Sequence, residues 1–275
     1  MKKRIAILGS TGSIGKNTLK IIKNDKKNFD VVLLSTNKNI NKVLNQAKEF
    51  QVNNIIISDF TSYKKAKIKV KNSKIKIFNN FDIFNKIFKK KNDLIMSSIT
   101  GLDGLKPTLK SIKHTKSILI ANKESIICGW SLIKKELKKN KTKFIPVDSE
   151  HFSIWSLLQN NKISNIDKIY ITASGGPFLK LSKDKFKEIS IKNALKHPNW
   201  KMGKKISIDS ATLMNKLFEV IEAKNIFDID YKKIFVLIHP NSYVHAIIKF
   251  ENGLTKILVH DTYMKIPIFN AIYFD

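Results

Sequence analysis

The 275-residue sequence predicts an α/β protein, with a parallel-sheet domain over residues 1–150 and an α+β domain over residues 151–275. Three observations carry this reading. Short β-branched runs alternate with amphipathic stretches through the first half. Several runs are apolar at consecutive positions, as in strands covered on both faces. Past about residue 150 the rhythm stops, and Gly175-Gly176-Pro177 interrupts the chain.

In chain order, the predicted strands of the first half are Arg4–Leu8, Val31–Ser35, Asn54–Ser58, Lys74–Phe78, Leu94–Ser98, Ser117–Ala121 and Lys143–Val147. Between them lie helical patterns; Ile40, Val43, Leu44, Ala47 and Phe50 share one face. In the second half His197-Pro198-Asn199-Trp200 and Lys201-Met202-Gly203 read as an irregular loop. One helix is predicted from Ser210 to about Ile226, with Asp209 or Ser210 as its N-cap. Strands follow at Lys233–His239, Val244–Phe250 and Leu254–Val259, and Asn252-Gly253 marks a hairpin between the last two.

Composition narrows the class. Hydrophobic residues make up 43% of the chain, which excludes a disordered protein. A single cysteine, Cys128, excludes a disulfide framework and a Cys-rich zinc site, and suits a reducing, cytoplasmic compartment. Cys128 lies in an apolar helical stretch and is expected to pack. No apolar run approaches the ~20 residues of a membrane span. The net charge is +29, from 51 Lys+Arg against 22 Asp+Glu. Arg4 is the only arginine and the lysines are dispersed, so a charged solvated surface is the expectation, and specific nucleic-acid binding is not.

The first strand runs into Gly9-Ser10-Thr11-Gly12-Ser13-Ile14-Gly15. Glycines between a strand and a helix let backbone N–H groups approach a pyrophosphate. The motif at the end of strand one predicts a Rossmann-like dinucleotide domain. The second strand ends Leu34-Ser35-Thr36-Asn37-Lys38-Asn39, without the carboxylate that would hold a ribose 2′-hydroxyl. Lys38 would attract a 2′-phosphate, so NADP(H) is favoured over NAD(H).

Asp148-Ser149-Glu150 follows a strand. In an extended segment, positions i and i+2 point the same way, and paired carboxylates suit Mg²⁺ or Mn²⁺. Glu219 and Asn215 share a helix face, and Lys216 lies on the same helix. Glu222 continues that face, with an exposed salt bridge as its expected role. Ser174-Gly175-Gly176, Ser210 at a helix start, Asn215 and Lys216 are the parts of a phosphate cradle. His197 is a further polar candidate, and Trp200 beside it reads as an apolar lid.

Together these motifs resemble the 1-deoxy-D-xylulose 5-phosphate reductoisomerase family. Gly9–Gly15, Ala121–Ser125, Pro146–His151, Ser174–Phe178, His197–Trp200, Met202–Ile206, Asp209–Thr212, Met214–Lys216 and Leu237–Pro240 stand in that family's order. The resemblance implies NADPH- and Mg²⁺- or Mn²⁺-dependent isomerisation and reduction of 1-deoxy-D-xylulose 5-phosphate to 2-C-methyl-D-erythritol 4-phosphate, an isoprenoid precursor. It also implies a homodimer formed through the central domain. By position, Thr11, Gly12, Ser13 and Ile14 match the pyrophosphate contacts. Asn37, Lys38 and Asn39 match the 2′-phosphate end, and Asn122, Glu124 and Gly203 match further cofactor contacts. Asp148, Glu150 and Glu219 match the metal ligands. Lys123, Ser149 and Glu150 match contacts to the reacting part of the sugar. Ser174, His197, Ser210, Asn215 and Lys216 match substrate and phosphate contacts, with Trp200 on the closing loop.

Four departures stand against the resemblance. Asn37 replaces a glycine, where its tolerance of positive φ is expected to preserve the turn. Leu217 replaces a small residue and is expected to crowd the helix. His260-Asp261-Thr262-Tyr263-Met264-Lys265 replaces the usual Gly-Glu-Pro-Asp-Met-Arg run. The family continues past the equivalent of Asp275 into a helical domain, so a C-terminally truncated relative is expected. The apolar run from Ile266 to Phe274 would then be exposed or poorly ordered, and turnover poor. The alternative reading is a degenerate relative that binds NADPH without turnover.

Overall fold

The structure, a computed structural model, describes residues 1–159, 161–200 and 203–274. Lys201 and Met202 of the expected loop lie outside the described residues. The chain forms two compact units, one of Met1–Val147 with the residues from Ile268 onward, the other of Asp148–Pro267.

The first unit contains strands β1 (Lys3–Leu8), β2 (Phe29–Thr36), β3 (Asn54–Ile57), β4 (Lys76–Phe78), β5 (Asn92–Ser97), β6 (Thr115–Ile120) and β7 (Lys143–Pro146). Between them run helices α1 (Ser13–Asn24), α2 (Ile40–Glu49), α3 (Phe60–Lys69), α4 (Phe84–Ile87), α5 (Leu105–Ile112) and α6 (Lys123–Asn140). The strands form one parallel sheet in the order β4-β3-β2-β1-β5-β6-β7. The order reverses between β1 and β5, the switch point where such sheets open a crevice for ligands. Ala6, Leu8, Leu33, Ile56 and Ile95 pack with Phe84 and Phe88 into a buried apolar core, which explains the consecutive apolar positions.

The second unit begins with α7 (Ser149–Leu157), followed by β8 (Ile166–Ala173), α8 (Ile191–Ala194), α9 (Lys204–Ala211), α10 (Met214–Phe227), β9 (Ile234–Ile238), β10 (Val244–Phe250) and β11 (Thr255–Val259). Its sheet has the order β11-β10-β8-β9; β8 and β9 are parallel, and β10 runs antiparallel to both β8 and β11. Ile154 of α7 and Ala223 and Phe227 of α10 bury against Ile169, Ile171, Ala246 and Ile248 of the sheet. The Asn252-Gly253 hairpin forms as expected, with Gly253 at φ +85°. β8 has no counterpart among the sequence expectations.

The helix expected over 210–226 is two helices. Leu213 takes φ +59°, a left-handed conformation that ends α9 and starts α10. Leucine rarely adopts it, so the pattern carries no warning. Ser210 therefore lies near the end of α9, not at a helix start.

The C-terminal apolar run is also corrected. It forms α11 (Lys265–Tyr273), in which Ile268, Ala271 and Ile272 are fully buried. Tyr273 packs edge-on against Phe29 at 5.5 Å and donates to Asp25 Oδ2 at 2.5 Å. Burial and that carboxylate push the Tyr273 phenol up to about 12. Phe269 stays exposed. Cys128 is exposed rather than packed; α6 turns Ser125, Ile126, Gly129 and Ile133 inward instead.

Candidate active site

The glycine loop is built by close approach. Gly9 has φ +83°, and a Cβ there would stand 2.7 Å from the Ser98 carbonyl oxygen. A Cβ on Gly15 would meet Gly9 O at 2.5 Å. Gly12 caps α1 without a side-chain hydrogen bond, so the first amides of α1, among them Ser13 and Ile14, keep no side-chain partner at the cap. Thr11 Oγ1 lies 2.7 Å from Thr36 Oγ1, tying the loop to β2. These features fit a dinucleotide pyrophosphate: an open helix start and a backbone that no side chain obstructs.

Past β2, Asn37 and Lys38 are exposed. Asn37 is not in the left-handed region, contrary to expectation. Its side chain instead donates to Ser58 Oγ at 2.9 Å, which holds the turn by a bond rather than by positive φ. Asn39 caps α2 through Lys42 N. Bonds from Ser62 hold Asp59 below the usual carboxylate range, with Lys38 adding to the effect. Burial, with Lys16 alongside, lowers Lys42. Asn122 caps α6, accepting from Ser125 N and donating to the carbonyls of Ile99 and Gly101. Lys123 and Glu124 open that helix.

In the second unit, Asp148, Glu150 and Glu219 bring one oxygen each within 4.8 Å of one another. The expected extended D-x-E geometry is corrected, because Asp148 is the N-cap of α7 and Glu150 sits in its first turn. A capping aspartate accepts from the backbone two residues on, here Glu150 N at 3.2 Å, and this draws the carboxylates together at the helix start. Lys216 Nζ lies 3.3 Å from Glu150 Oε1 and bonds Glu219 Oε2. Burial works to lower this ammonium, but Glu150 and Glu219 outweigh it and hold it above the usual lysine range. Asn215 donates to Glu219 Oε1 at 2.5 Å, and its own Oδ1 is buried with no hydrogen-bond partner. Ser149 donates to Glu150 Oε2 at 2.5 Å. Three oxygen donors around a positive charge fit a hard divalent cation.

Sequence reasoning missed how His151 braces this cluster. Fully buried, it faces Asp148 Oδ1 at 3.0 Å through Nδ1 and the Glu219 carbonyl at 2.8 Å through Nε2. Both nitrogens meet oxygen acceptors, so the ring ties α7 to α10. Glu222, expected at the surface, is 1% exposed and lies 3.7 Å from His151. Leu217 is 52% exposed and crowds nothing. The one sequence signal for His151 was its place three residues after an N-cap aspartate.

The phosphate candidates also meet. Gly176 has φ +73°, and a Cβ there would stand 2.9 Å from Ser210 O, so the Ser174–Gly176 turn lies on the end of α9. Ser174 Oγ accepts from Gly176 N at 3.1 Å and faces His197 Nε2 at 3.1 Å. His197 Nδ1 accepts from the amides of Asn199 and Trp200 at 3.1 and 3.0 Å. Burial holds His197 below the usual histidine range. Trp200 is half-buried, with its ring against His245. Gly203 caps α9 without a side chain.

The switch-point glycine loop and the carboxylate cluster define the class, a dinucleotide-dependent α/β oxidoreductase with a divalent-metal centre. Two family models match, one described as 1-deoxy-D-xylulose 5-phosphate reductoisomerase over residues 5–129 and one as its C-terminal domain over residues 144–227. The chain belongs to the 1-deoxy-D-xylulose 5-phosphate reductoisomerase family. The reductoisomerase of Pelagibacter ubique (strain HTCC1062) is 65% identical over 275 residues, covering 99% of this chain and 71% of the relative. A structure of the Zymomonas mobilis enzyme in complex with NADPH superposes with TM-score 0.90 at 32% identity, over 100% of this chain and 71% of that one. A DOX-P reductoisomerase in complex with NADPH, fosmidomycin and magnesium gives 0.92 at 36%, over 99% and 70%. A hyperthermophilic archaeal homoserine dehydrogenase, at 14% identity and TM-score 0.61, shares the fold alone.

Proposed function

We infer that this chain catalyses the NADPH- and divalent-metal-dependent isomerisation and reduction of 1-deoxy-D-xylulose 5-phosphate to 2-C-methyl-D-erythritol 4-phosphate, a step toward isoprenoid precursors. The observation that carries the reading is the convergence of Asp148, Glu150 and Glu219 within 4.8 Å in a chain of this family. These three would hold Mg²⁺ or Mn²⁺, whose chemistry is Lewis-acid polarisation of a carbonyl and its neighbouring hydroxyl. NADPH supplies the hydride, with Thr11, Gly12, Ser13 and Ile14 at its pyrophosphate and Asn37, Lys38 and Asn39 at its 2′-phosphate. Asn122, Glu124 and Gly203 are further cofactor contacts.

The chain's own groups then orient the sugar. Lys123, Ser149 and Glu150 take its reacting end. Ser174, His197, Ser210, Asn215 and Lys216 take the remainder with its phosphate, and Trp200 covers it against water. Because His197 Nδ1 accepts two amides, its ring proton sits on Nε2 and points at Ser174 Oγ. That leaves the Ser174 hydroxyl hydrogen to donate to a phosphate oxygen. Binding the phosphate, remote from the reaction, supplies energy for orientation at the reacting carbons.

A homodimer is part of the reading. Edge strand β9 carries Phe235, Val236, Leu237 and Ile238 at 39%, 43%, 41% and 46% exposure, an apolar edge that natural sheets cover. A cytoplasmic location accords with one exposed, unpaired cysteine. No helix among the described residues is long and apolar enough to cross a membrane.

The test is NADPH oxidation by the purified chain with 1-deoxy-D-xylulose 5-phosphate, with Mg²⁺, with Mn²⁺ and with chelator. Turnover of about 1 s⁻¹ or more that chelator abolishes is expected. NADPH binding with no metal-dependent turnover would refute the reading in favour of a cofactor-binding relative.

A further inference from the structure

Immediately after β11 stands a histidine that the reaction as proposed does not use. His260 lies flat against His245 of β10, with ring centroids 3.6 Å apart and planes 17° apart. The pairing of β10 with β11 shifts register between Val244 and Ala246, so His245 is the extra residue of a bulge. Bulges re-aim a side chain, and here the re-aimed ring is 1% exposed. His245 Nε2 donates to the His260 carbonyl at 3.1 Å, and His260 Nδ1 donates to the Asp261 carbonyl at 2.8 Å. Those two bonds set both tautomers. The remaining nitrogens, His245 Nδ1 and His260 Nε2, are buried without a hydrogen-bond partner, so neither ring is anchored by a bond at that side. Burial lowers both imidazoles to about 4, and Lys216 adds to the effect on His245. Two neutral rings stack without repulsion.

His245 also meets Trp200, edge to face, at 5.9 Å and 73°. Trp200 N donates to His197 Nδ1, and His197 Nε2 reaches Ser174 Oγ. Asn199 fastens the same loop to Ser242 Oγ at 3.0 Å, just before β10. A contact series thus runs from His260 through His245 and Trp200 to His197 and Ser174. Backbone bonds hold the loop's amides. The indole itself meets the ring of His245, and that ring is in turn stacked on His260.

We propose that His260 is a positioning residue for the substrate loop: by stacking on His245 it fixes the ring against which Trp200 rests, and so presets the loop that carries His197. The inference rests on the function proposed above. It predicts that His260 acts on substrate affinity and leaves the chemistry alone.

The experiment uses the full chain. Of its three tryptophans, Trp130→Phe and Trp155→Phe leave Trp200 as the sole indole. In that background His260→Gly should raise acrylamide quenching of Trp200 about twofold, and His260→Phe should restore it, since an aromatic pair is worth roughly a few-fold in an equilibrium. In steady state His260→Gly should raise KM for 1-deoxy-D-xylulose 5-phosphate about three- to tenfold. kcat and NADPH affinity should hold, and His260→Phe should return KM. Should the glycine variant lose its circular dichroism, His260→Leu, with bulk but no ring, replaces it. Unchanged quenching, unchanged KM, a fall in kcat alone, or failure of phenylalanine to rescue each overturns the proposal. A parent chain without turnover whose quenching still responds would refute the proposed function while retaining the stack's hold on Trp200.

Discussion

Lys216 Nζ stands 3.3 Å from Glu150 Oε1 while it also bonds Glu219 Oε2. One ammonium, buried to 7% exposure, joins the carboxylates of two helices, α7 and α10. Carboxylates this close repel strongly when neither a proton nor a cation lies between them. The lysine offsets that repulsion and holds the two carboxylates together at the place where a divalent cation would bind.

Replacing Lys216 by Met should therefore destabilise the protein by about 3–5 kcal/mol, the cost of stripping one partner from a buried ion pair. Added Mg²⁺ should recover much of the loss. Thermal denaturation with and without MgCl₂ measures this. An identical metal response in the variant and the parent would show that Lys216 does not share the carboxylates with a cation.

Asp148→Asn and Glu150→Gln should each lower metal-dependent turnover by about 10³-fold or more, because each removes one charged ligand from the oxygen set. NADPH affinity should stay within about twofold. Isothermal titration with NADPH beside a steady-state assay tests both halves. Substantial Mn²⁺-dependent activity in both variants would sink the metal assignment.

Charge reversal at Lys38 should weaken NADPH far more than NADH. An exposed ammonium that meets a phosphate contributes about 1–3 kcal/mol, and NADH presents no 2′-phosphate to lose. Fluorescence titration with both cofactors decides it. Equal losses would mark Lys38 as one more surface charge.

Acid should unfold the second unit through the stacked histidines. His245 and His260 fall from 6.5 to about 4 in the fold. With the folded-state value depressed, the unfolded chain binds more protons between pH 6.5 and 4. Stability is thus complete above 6.5 and drains as pH falls toward 4. For His245, 1% exposed, the stake is on the order of 3 kcal/mol. Urea midpoints from pH 7 to 4 should fall less steeply in His260→Phe than in the parent. Parallel pH profiles would contradict the neutral stack.

Much of the first unit was legible because its strands are apolar at successive positions and its glycines stand where backbones touch. Gly9 and Gly15 declare the loop at Leu8, and Asn252-Gly253 declares the hairpin. Other features were not. β8 reads Ile166-Asp167-Lys168-Ile169-Tyr170-Ile171-Thr172-Ala173, a mixed pattern whose polar residues only a neighbouring strand explains. Asp148-Ser149-Glu150 reads as an extended segment because it follows a strand, yet the aspartate caps a helix. Leu213 breaks a helix with no glycine or proline to signal it.

The sequence by itself determined the alternating α/β order and the glycine loop, since these depend on residue type and near-neighbour spacing; Glu219 joins Asp148 and Glu150 in the sequence only through the family resemblance. Tertiary structure alone decided that His151 lies between Asp148 and the Glu219 carbonyl, that Glu222 is buried, that α11 sinks Ile268 and Ile272 into a core, and that His260 faces His245. His151 meets the Glu219 carbonyl 68 positions away, α11 returns from the end of the chain to the first unit, and the stacked histidines turn on a single bulge. Nothing in local periodicity encodes which distant ring or carboxylate a side chain will meet; only the packing of one element on another sets it.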